Sequence, residues 1–220
     1  MLTIAAVQVG DYLGRGEEYA SNLFHAVKKH FPAARDARLV CLTDDWKSVP
    51  FSVEPVAVPE GIKGWWNKLA LFKPGMFSPG DRILFFDLDT VLIGDISDLA
   101  AYDGPFAIMR DVYRVTGFQS SIMAWAAGAC DHIWTRWDEA GRPSFHPGGD
   151  QSWIEMMMPQ ADIWQTRVPG QIVSFKRDCR SLGEPPENAR AVVFHGVPRP
   201  HDPSLPRWVR DAWTGEEIPQ

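Results

Sequence analysis

Two carboxylates separated by one residue follow a short apolar run near the middle of the chain. Residues 83–86 have the length and the β-branched and aromatic content of a buried strand. Because side chains alternate along a strand, Asp87 and Asp89 are expected on one side and Leu88 on the other. Like charges this close repel each other and cost desolvation. The acids could simply cap the next turn, or they could hold a divalent cation, since Mg²⁺ and Mn²⁺ prefer carboxylate oxygens.

The composition of the 220-residue chain restricts the classes of function. A net charge of −6 and a pI of about 5.5 argue against a nucleic-acid partner, because phosphate backbones need clustered Lys and Arg. Cys41, Cys130 and Cys179 are widely spaced, which suits a reducing compartment and gives no zinc-site spacing. No signal peptide is recognisable, and no run approaches the roughly 18 apolar residues of a membrane span. We therefore expect a cytoplasmic protein without a transmembrane segment.

The order of predicted elements indicates an α/β fold. Residues 2–9 and 38–42 have the pattern of strands, and residues 17–30 between them have the apolar stripe of a helix. This strand–helix–strand order predicts a parallel pair joined by a crossover. Ligands of such sheets lie beyond the carboxyl ends of the strands, which here means residues 7–12 and 43–45.

Isolated polar residues within later apolar segments are further candidates for a site. Lys68 lies one helical turn before Phe72 and is either a snorkelling lysine or a cation aimed at phosphate or sugar oxygens. Gln119 and Ser120 lie at the start of a strand, where they need backbone or ligand partners. Asp150 follows a Pro-Gly-Gly segment, so it is either a helix N-cap or a ligand contact.

The last predicted strand, residues 191–195, ends in a His-Gly pair. A single His at the end of a strand is usually structural. Here Gly196 permits close backbone approach next to His195, and Arg199 follows shortly after as a cation suited to phosphate. The sequence leaves both a structural and a site role open for this segment.

Taken in order along the chain, these segments resemble the glycogenin-like (family 8-related) bacterial glycosyltransferases of the GT-A fold. The likeness extends from about residue 2 to residue 202. Its landmarks are the first strand and loop to Tyr12, Leu-Thr-Asp-Asp at 42–45, Trp-Trp-Asn-Lys at 65–68, Asp-Leu-Asp-Thr at 87–90, Phe-Gln-Ser-Ser at 118–121, Gly-Asp-Gln at 149–151 and His-Gly-x-Pro-Arg-Pro at 195–200. Each motif alone is weak, but the ordered set is specific.

The resemblance implies an α/β protein with a single GT-A domain over residues 1–220. That domain has a Rossmann-like mixed, mostly parallel sheet flanked by helices. Its nucleotide-binding half covers about residues 1–100, and the half that binds donor sugar and acceptor covers about residues 101–205. The C-terminal tail is expected to pack back on the domain.

The resemblance also implies a metal-dependent transfer of sugar from a nucleotide donor, UDP-sugar in the first instance. The acceptor stays open among glycans, lipid-linked glycans at the inner membrane face and proteins. Mn²⁺ or Mg²⁺ would be held by Asp87, Asp89 and His195, and catalytic roles are implied for Lys68, Asp150 and Gln151. Contacts to the nucleotide-sugar are implied for Val7, Gln8, Tyr12, Lys68, Asp87, Leu88, Asp89, Gln119, Ser120, Asp150, Gly196 and Arg199. Relatives often carry Asn in place of Gln119, so the identity of the donor sugar stays open. They also often carry Lys in place of Arg199.

Two other interpretations remain. The first motif of haloacid-dehalogenase-type phosphatases is matched by Asp87, Asp89, Val91 and Leu92. That family, however, places its nucleophile strand near the start of the chain and needs a later strand-linked acidic pair. A non-catalytic module that binds a nucleotide-sugar without turning it over would carry the same residues as a transferase.

Overall fold

Apolar segments of the N-terminal half form the parallel part of a central sheet. The computed structural model describes residues 1–12, 14–144 and 148–215 of the chain. Its first four strands, paired in parallel in the order β3-β2-β1-β4, are β1 (Leu2–Gln8), β2 (Arg38–Thr43), β3 (Glu54–Ala57) and β4 (Arg82–Phe86). Helix α1 (Gly16–His30) connects β1 to β2. The parallel pair predicted from the strand–helix–strand pattern is therefore confirmed.

Later strands extend this sheet and form a second one. Within the described residues the later strands are β5 (Thr90–Leu92), β6 (Phe106–Arg110), β7 (Phe118–Ala126), β8 (Asp162–Ile163), β9 (Ile172–Ser174) and β10 (Ala191–Val193). Strand β7 runs antiparallel to both β4 and β6, and β8 pairs in parallel with β6. Strands β5, β10 and β9 form the second, smaller sheet. The predicted mixed, mostly parallel sheet is confirmed.

Helices cover both faces of the larger sheet. The remaining α-helices of the described residues are α2 (Ser97–Ala100), α3 (Asp131–Glu139), α4 (Gly149–Met157), α5 (Trp164–Arg167) and α6 (Arg207–Thr214). The other helical segments described are the 3₁₀ helices Ala34–Asp36, Trp46–Ser48 and Gly64–Phe72 and the π-helical turn Phe175–Cys179. Among residues 1–12, 14–144 and 148–215, no helix combines the length and the apolarity needed to cross a membrane.

Two hydrophobic cores result, one on each side of the sheet. Strand β1 contributes Ile4 and Ala6 to one core and Ala5 to the other, as expected for a strand buried on both faces. The first core includes α1, the small sheet and α6. The second includes the 3₁₀ helix Gly64–Phe72 together with α3 and α4. This sandwich fixes the backbone around the carboxyl ends of β1, β2 and β4.

We expect the two cores to dominate stability, which a matched pair of substitutions tests. Phe106 in β6 is fully buried beside Trp125, whereas Phe51 is fully exposed. Phe106→Ala should lower the free energy of unfolding by about 3–5 kcal/mol, because it leaves a cavity in a packed core. Phe51→Ala deletes the same side-chain atoms at an exposed position, so the free energy of unfolding should change by less than about 0.5 kcal/mol. Urea denaturation measures both, and equal losses would contradict the assignment of the core.

Candidate active site

A cavity of about 600 Å³ opens at the carboxyl ends of the parallel strands, where α/β sheets bind ligands. Strand β7 contributes to it because Phe86 at the end of β4 pairs with Ile122, so the residues before Ile122 extend past β4. The lining residues are Val7, Val9, Tyr12, Gly64, Trp65, Lys68, Asp87, Leu88, Asp89, Gln119, Ser120, Ser121, Gly148, Gly149, Asp150, Gln151, Phe194, His195, Gly196 and Arg199. Most of the sequence-predicted site residues are therefore brought together.

The two central carboxylates are placed by a turn rather than by a strand. Strand β4 ends at Phe86, and the Thr90 amide donates to the Asp87 carbonyl at 3.0 Å, which closes a turn into β5. The Asp87 amide donates to the Ser121 carbonyl at 2.8 Å and ties this turn to β7. Asp87 and Asp89 therefore face one cavity because of this turn, and the predicted alternation along a strand is wrong for them.

Lys68 points into the cavity instead of snorkelling to solvent. Its Nζ lies 2.7 Å from Asp87 Oδ1 and 3.8 Å from Asp150 Oδ2, and it donates to Ser120 Oγ at 3.2 Å. Burial disfavours the ammonium ion, but the fields of Asp87 and Asp150 outweigh burial and raise the pKa of Lys68. Lys68 is therefore a charged side chain that bridges Asp87 and Asp150.

Asp150 is a buried side chain of the first turn of α4, and the N-cap position belongs to Gly148. Gly148 and Gly149 have positive φ values of 87° and 64°, a conformation that favours glycine. A Cβ on Gly149 would also collide with the Trp65 indole. Ser120 Oγ donates to Asp150 Oδ2 at 2.7 Å. Burial raises the pKa of Asp150, while Lys68 and Ser120 oppose that rise.

Asp89 forms an ion pair with Arg199. The guanidinium Nη1 contacts Asp89 Oδ2, and the side chain of Asp89 is only 6% exposed. Burial and the nearby charge of Asp87 raise the pKa of Asp89 to about 7, although Arg199 and Lys68 act in the opposite direction. Each carboxylate of the Asp-x-Asp motif thus has its own cation, Lys68 for Asp87 and Arg199 for Asp89.

His195 lies on the wall of the same cavity but is engaged elsewhere. Its Nε2 is hydrogen-bonded to Ser174 Oγ at 2.8 Å, and its ring meets Tyr113 edge-on at 5.4 Å between centroids. Burial and Lys176 lower its pKa, which favours the neutral imidazole. Among the residues that the structure describes, no three His, Cys, Asp or Glu side chains are grouped so that they could hold an ion. The predicted triad of Asp87, Asp89 and His195 is therefore not assembled here, since Arg199 and Ser174 engage two of its members.

The charges of the cavity nevertheless suit a divalent cation. Three carboxylates, those of Asp87, Asp89 and Asp150, face the two cations Lys68 and Arg199, which leaves an excess of negative charge when all are ionised. A diphosphate would be repelled by that excess, whereas a divalent cation would reverse its sign. Carboxylate oxygens with one neutral imidazole nearby are ligands that Mn²⁺ or Mg²⁺ accepts.

Gln8 is the one predicted contact that does not line the cavity. Strand alternation directs Val7 and Val9 to it and Gln8 away from it. The Gln8 side chain is buried and donates to Ser48 Oγ at 2.5 Å. Tyr12 does line the cavity, and its ring packs edge-on against Tyr19 at 4.7 Å. Gln119 also lines it, with its Nε2 bonded to Ser121 Oγ.

Several lining residues were missed at the sequence level, and Trp65 is the most prominent. The Trp-Trp pair does not reveal which ring faces the core. In the structure Trp66 stacks on Trp137 in the core, whereas Trp65 is 63% exposed at the cavity. The other lining residues missed are Val9, Gly64, Ser121, Gly148, Gly149 and Phe194. All of them lie within a motif or adjoin one, so adjacency was the available signal.

Comparison with known proteins identifies the fold. No protein-family model matches the chain, and no curated protein matches its sequence. Solved structures do match: the galactosyltransferase LgtC, crystallised with donor and acceptor sugar analogs, is 11% identical with a TM-score of 0.68 and covers 99% of this chain and 98% of LgtC. The glycosyltransferase GlyE of Streptococcus pneumoniae TIGR4 is 12% identical with a TM-score of 0.66, over 96% of this chain. The bifunctional glycosyltransferase WbbM is 11% identical with a TM-score of 0.69, also over 96%.

The chain therefore has the GT-A fold of bacterial glycosyltransferases, as the ordered motifs predicted. It spans only 59% of the GlyE chain and 48% of the WbbM chain. At these identities the likeness establishes the fold, and the activity has to be argued from the cavity.

Removing the cation Lys68 should destabilise the protein in a pH-dependent manner. Lys68→Met leaves Asp87 and Asp150 without their cation and should cost about 1–3 kcal/mol of unfolding free energy at pH 8. Burial already raises the folded-state pKa of Asp150 above its usual value, and losing the opposing charge of Lys68 should raise that pKa further. The folded variant then binds extra protons as the pH falls, so the deficit should shrink between pH 8 and pH 5. Urea denaturation at both pH values measures it.

The matched control is Lys73→Met, which removes an exposed lysine from the end of the same segment. It should have little effect at either pH. If Lys68→Met lost the same unfolding free energy at pH 5 and at pH 8, the charge of Lys68 would not be compensating Asp87 and Asp150.

Proposed function

We propose that the protein transfers a sugar from a nucleotide-sugar, a UDP-sugar in the first instance, to an acceptor hydroxyl. The observation that carries this proposal is the charged network at the strand ends. Lys68, Arg199 and three carboxylates line one cavity that is large enough for a nucleotide-sugar. The network occurs on a fold shared with LgtC, a galactosyltransferase crystallised with donor and acceptor sugar analogs.

The nucleotide end of the donor would lie against Val7 and Tyr12, and its diphosphate against Gly196 and Arg199. Gly196 is exposed, lines the cavity and has a φ of 70°, a conformation that favours glycine. A guanidinium binds phosphate through two parallel hydrogen bonds. The donor's diphosphate is thus matched by the cationic side of the cavity.

Asp87 and Asp89 would hold a divalent cation, Mn²⁺ or Mg²⁺, with His195 on the adjoining wall as the third ligand. When bound, such an ion supplies positive charge at the departing diphosphate. Lys68 holds the Asp87 carboxylate in place for this role through its 2.7 Å contact. Asp89, nearly buried, is held by Arg199 until the ligands arrive.

The donor sugar would lie against Lys68 and Asp150, with Gln119, Ser120 and Gln151 around it. Sugar transfer passes through an oxocarbenium-like state, which a carboxylate stabilises. Asp150 is suited to this role because Ser120 and Lys68 orient it and its burial excludes water. The resemblance to glycogenin-like enzymes favours retention of configuration.

Metal-dependent nucleotide binding is the first test. Calorimetry should show UDP binding that requires Mn²⁺ and is weakened at least tenfold in Asp89→Asn, because the variant loses a ligand charge. Asp103→Asn removes an exposed acid outside the cavity and should bind as wild type. UDP binding of equal strength with and without Mn²⁺ would contradict the metal assignment.

Turnover separates an enzyme from a binding module. With Mn²⁺, the protein should slowly hydrolyse a UDP-sugar. It should release no phosphate from an aryl phosphate, whereas a phosphatase would. Asp150→Asn should lower kcat for UDP-sugar hydrolysis by roughly 10²-fold, while UDP binding stays within a few-fold, because the carboxylate faces the sugar and not the diphosphate. UDP binding with no turnover of any UDP-sugar would instead favour a non-catalytic module.

A further inference from the structure

We propose that Arg199 occupies the place of the divalent cation beside Asp89 in the ligand-free protein and leaves it for the diphosphate, so that metal and diphosphate bind as a pair. This inference rests on the proposed function, because it concerns the same cavity. It adds a role for Arg199 in deciding the order of binding, which the phosphate contact alone does not require.

The ion pair itself is the first observation. Arg199 Nη1 contacts Asp89 Oδ2, and Asp89 is nearly buried, so little solvent competes for that carboxylate. A divalent cation held by Asp89 would draw on the same carboxylate. Two cations on one buried carboxylate repel each other strongly where the local dielectric is low. Metal binding to the ligand-free protein must therefore displace the guanidinium or tolerate that repulsion.

The partial exposure of the Arg199 side chain is the second observation. Its backbone is fixed, since the Asp202 amide donates to the Arg199 carbonyl at 2.9 Å. Its side chain is 29% exposed and lines the cavity beside Gly196. A guanidinium released from Asp89 can therefore turn within the cavity without moving the chain. A diphosphate offers it a bidentate partner there.

The distribution of cations in the network is the third observation. Lys68 contacts Asp87, Ser120 and Asp150 together, so it is fixed by several partners. Among the described residues Arg199 has one charged partner, Asp89. Of the two cations, Arg199 is thus the one that a ligand can redirect. The free energy of its move would link metal binding to nucleotide binding, and such coupling is reciprocal.

The test is Mn²⁺ binding in the absence and presence of UDP, measured by calorimetry and by the Mn²⁺ electron paramagnetic resonance signal up to millimolar metal. Arg199→Ala should bind Mn²⁺ about tenfold more tightly than wild type without nucleotide, since coupling between linked ligands is typically 5–150-fold. The same variant should bind UDP about tenfold more weakly at saturating Mn²⁺, because it loses a phosphate contact. Opposite signs for the two ligands are the signature of the displacement.

Three further variants define the result. Arg199→Lys keeps the charge and should fall between wild type and Arg199→Ala for both ligands, and it guards against a folding defect. Adding Asp89→Asn to Arg199→Ala should abolish the gain in Mn²⁺ affinity. Arg167→Ala removes a surface ion pair with Asp162 at 2.7 Å and should leave both affinities unchanged.

Nucleotide-free Mn²⁺ affinity that is unchanged or weaker in Arg199→Ala would overturn the inference, as would the absence of Mn²⁺ binding in both proteins. Failure of the proposed function would look different. In that case the wild-type protein would bind no UDP with or without Mn²⁺, while the nucleotide-free comparison of the two proteins would still report on Arg199 and Asp89.

Discussion

The cavity depends on the compensation of buried negative charge at one edge of the sheet. Asp89 and Asp150 are almost completely buried and Asp87 is partly so, an arrangement that would be costly without nearby cations. Lys68 and Arg199 supply that compensation from opposite sides. Ser120 and Ser121 complete it with hydrogen bonds to Asp150 and Asp87. The three carboxylates still outnumber the two cations, which leaves a net negative charge in the cavity when all are ionised.

The fold can hold these charged side chains close together because each is carried by a separately anchored element. The turn after β4 carries Asp87 and Asp89, the 3₁₀ helix Gly64–Phe72 carries Lys68, and the first turn of α4 carries Asp150. The two hydrophobic cores hold these elements from both faces of the sheet. Since each element is fixed by its own apolar side, the polar ends meet without having to provide the stability of the fold.

Arg199 differs from these groups because it follows the last strand on a segment that is only partly buried. Its side chain pairs with Asp89, is 29% exposed and lines the cavity, so Arg199 is the cation that we propose a ligand redirects. In this proposal Lys68 is the fixed cation of the cavity and Arg199 is the movable one. One keeps the acids in place, and the other can respond to a ligand.

The sequence by itself determined the α/β fold, because the periodicity of residues 2–9, 17–30 and 38–42 follows from burial on one or both faces. It also indicated most of the cavity residues, since motif order along a chain survives at low identity. It could not decide how those residues meet. Gln8 turned away, His195 paired with Ser174, and Arg199 paired with Asp89, because these contacts join residues far apart in the chain. Only tertiary packing sets such distances, and a local pattern carries no information about them.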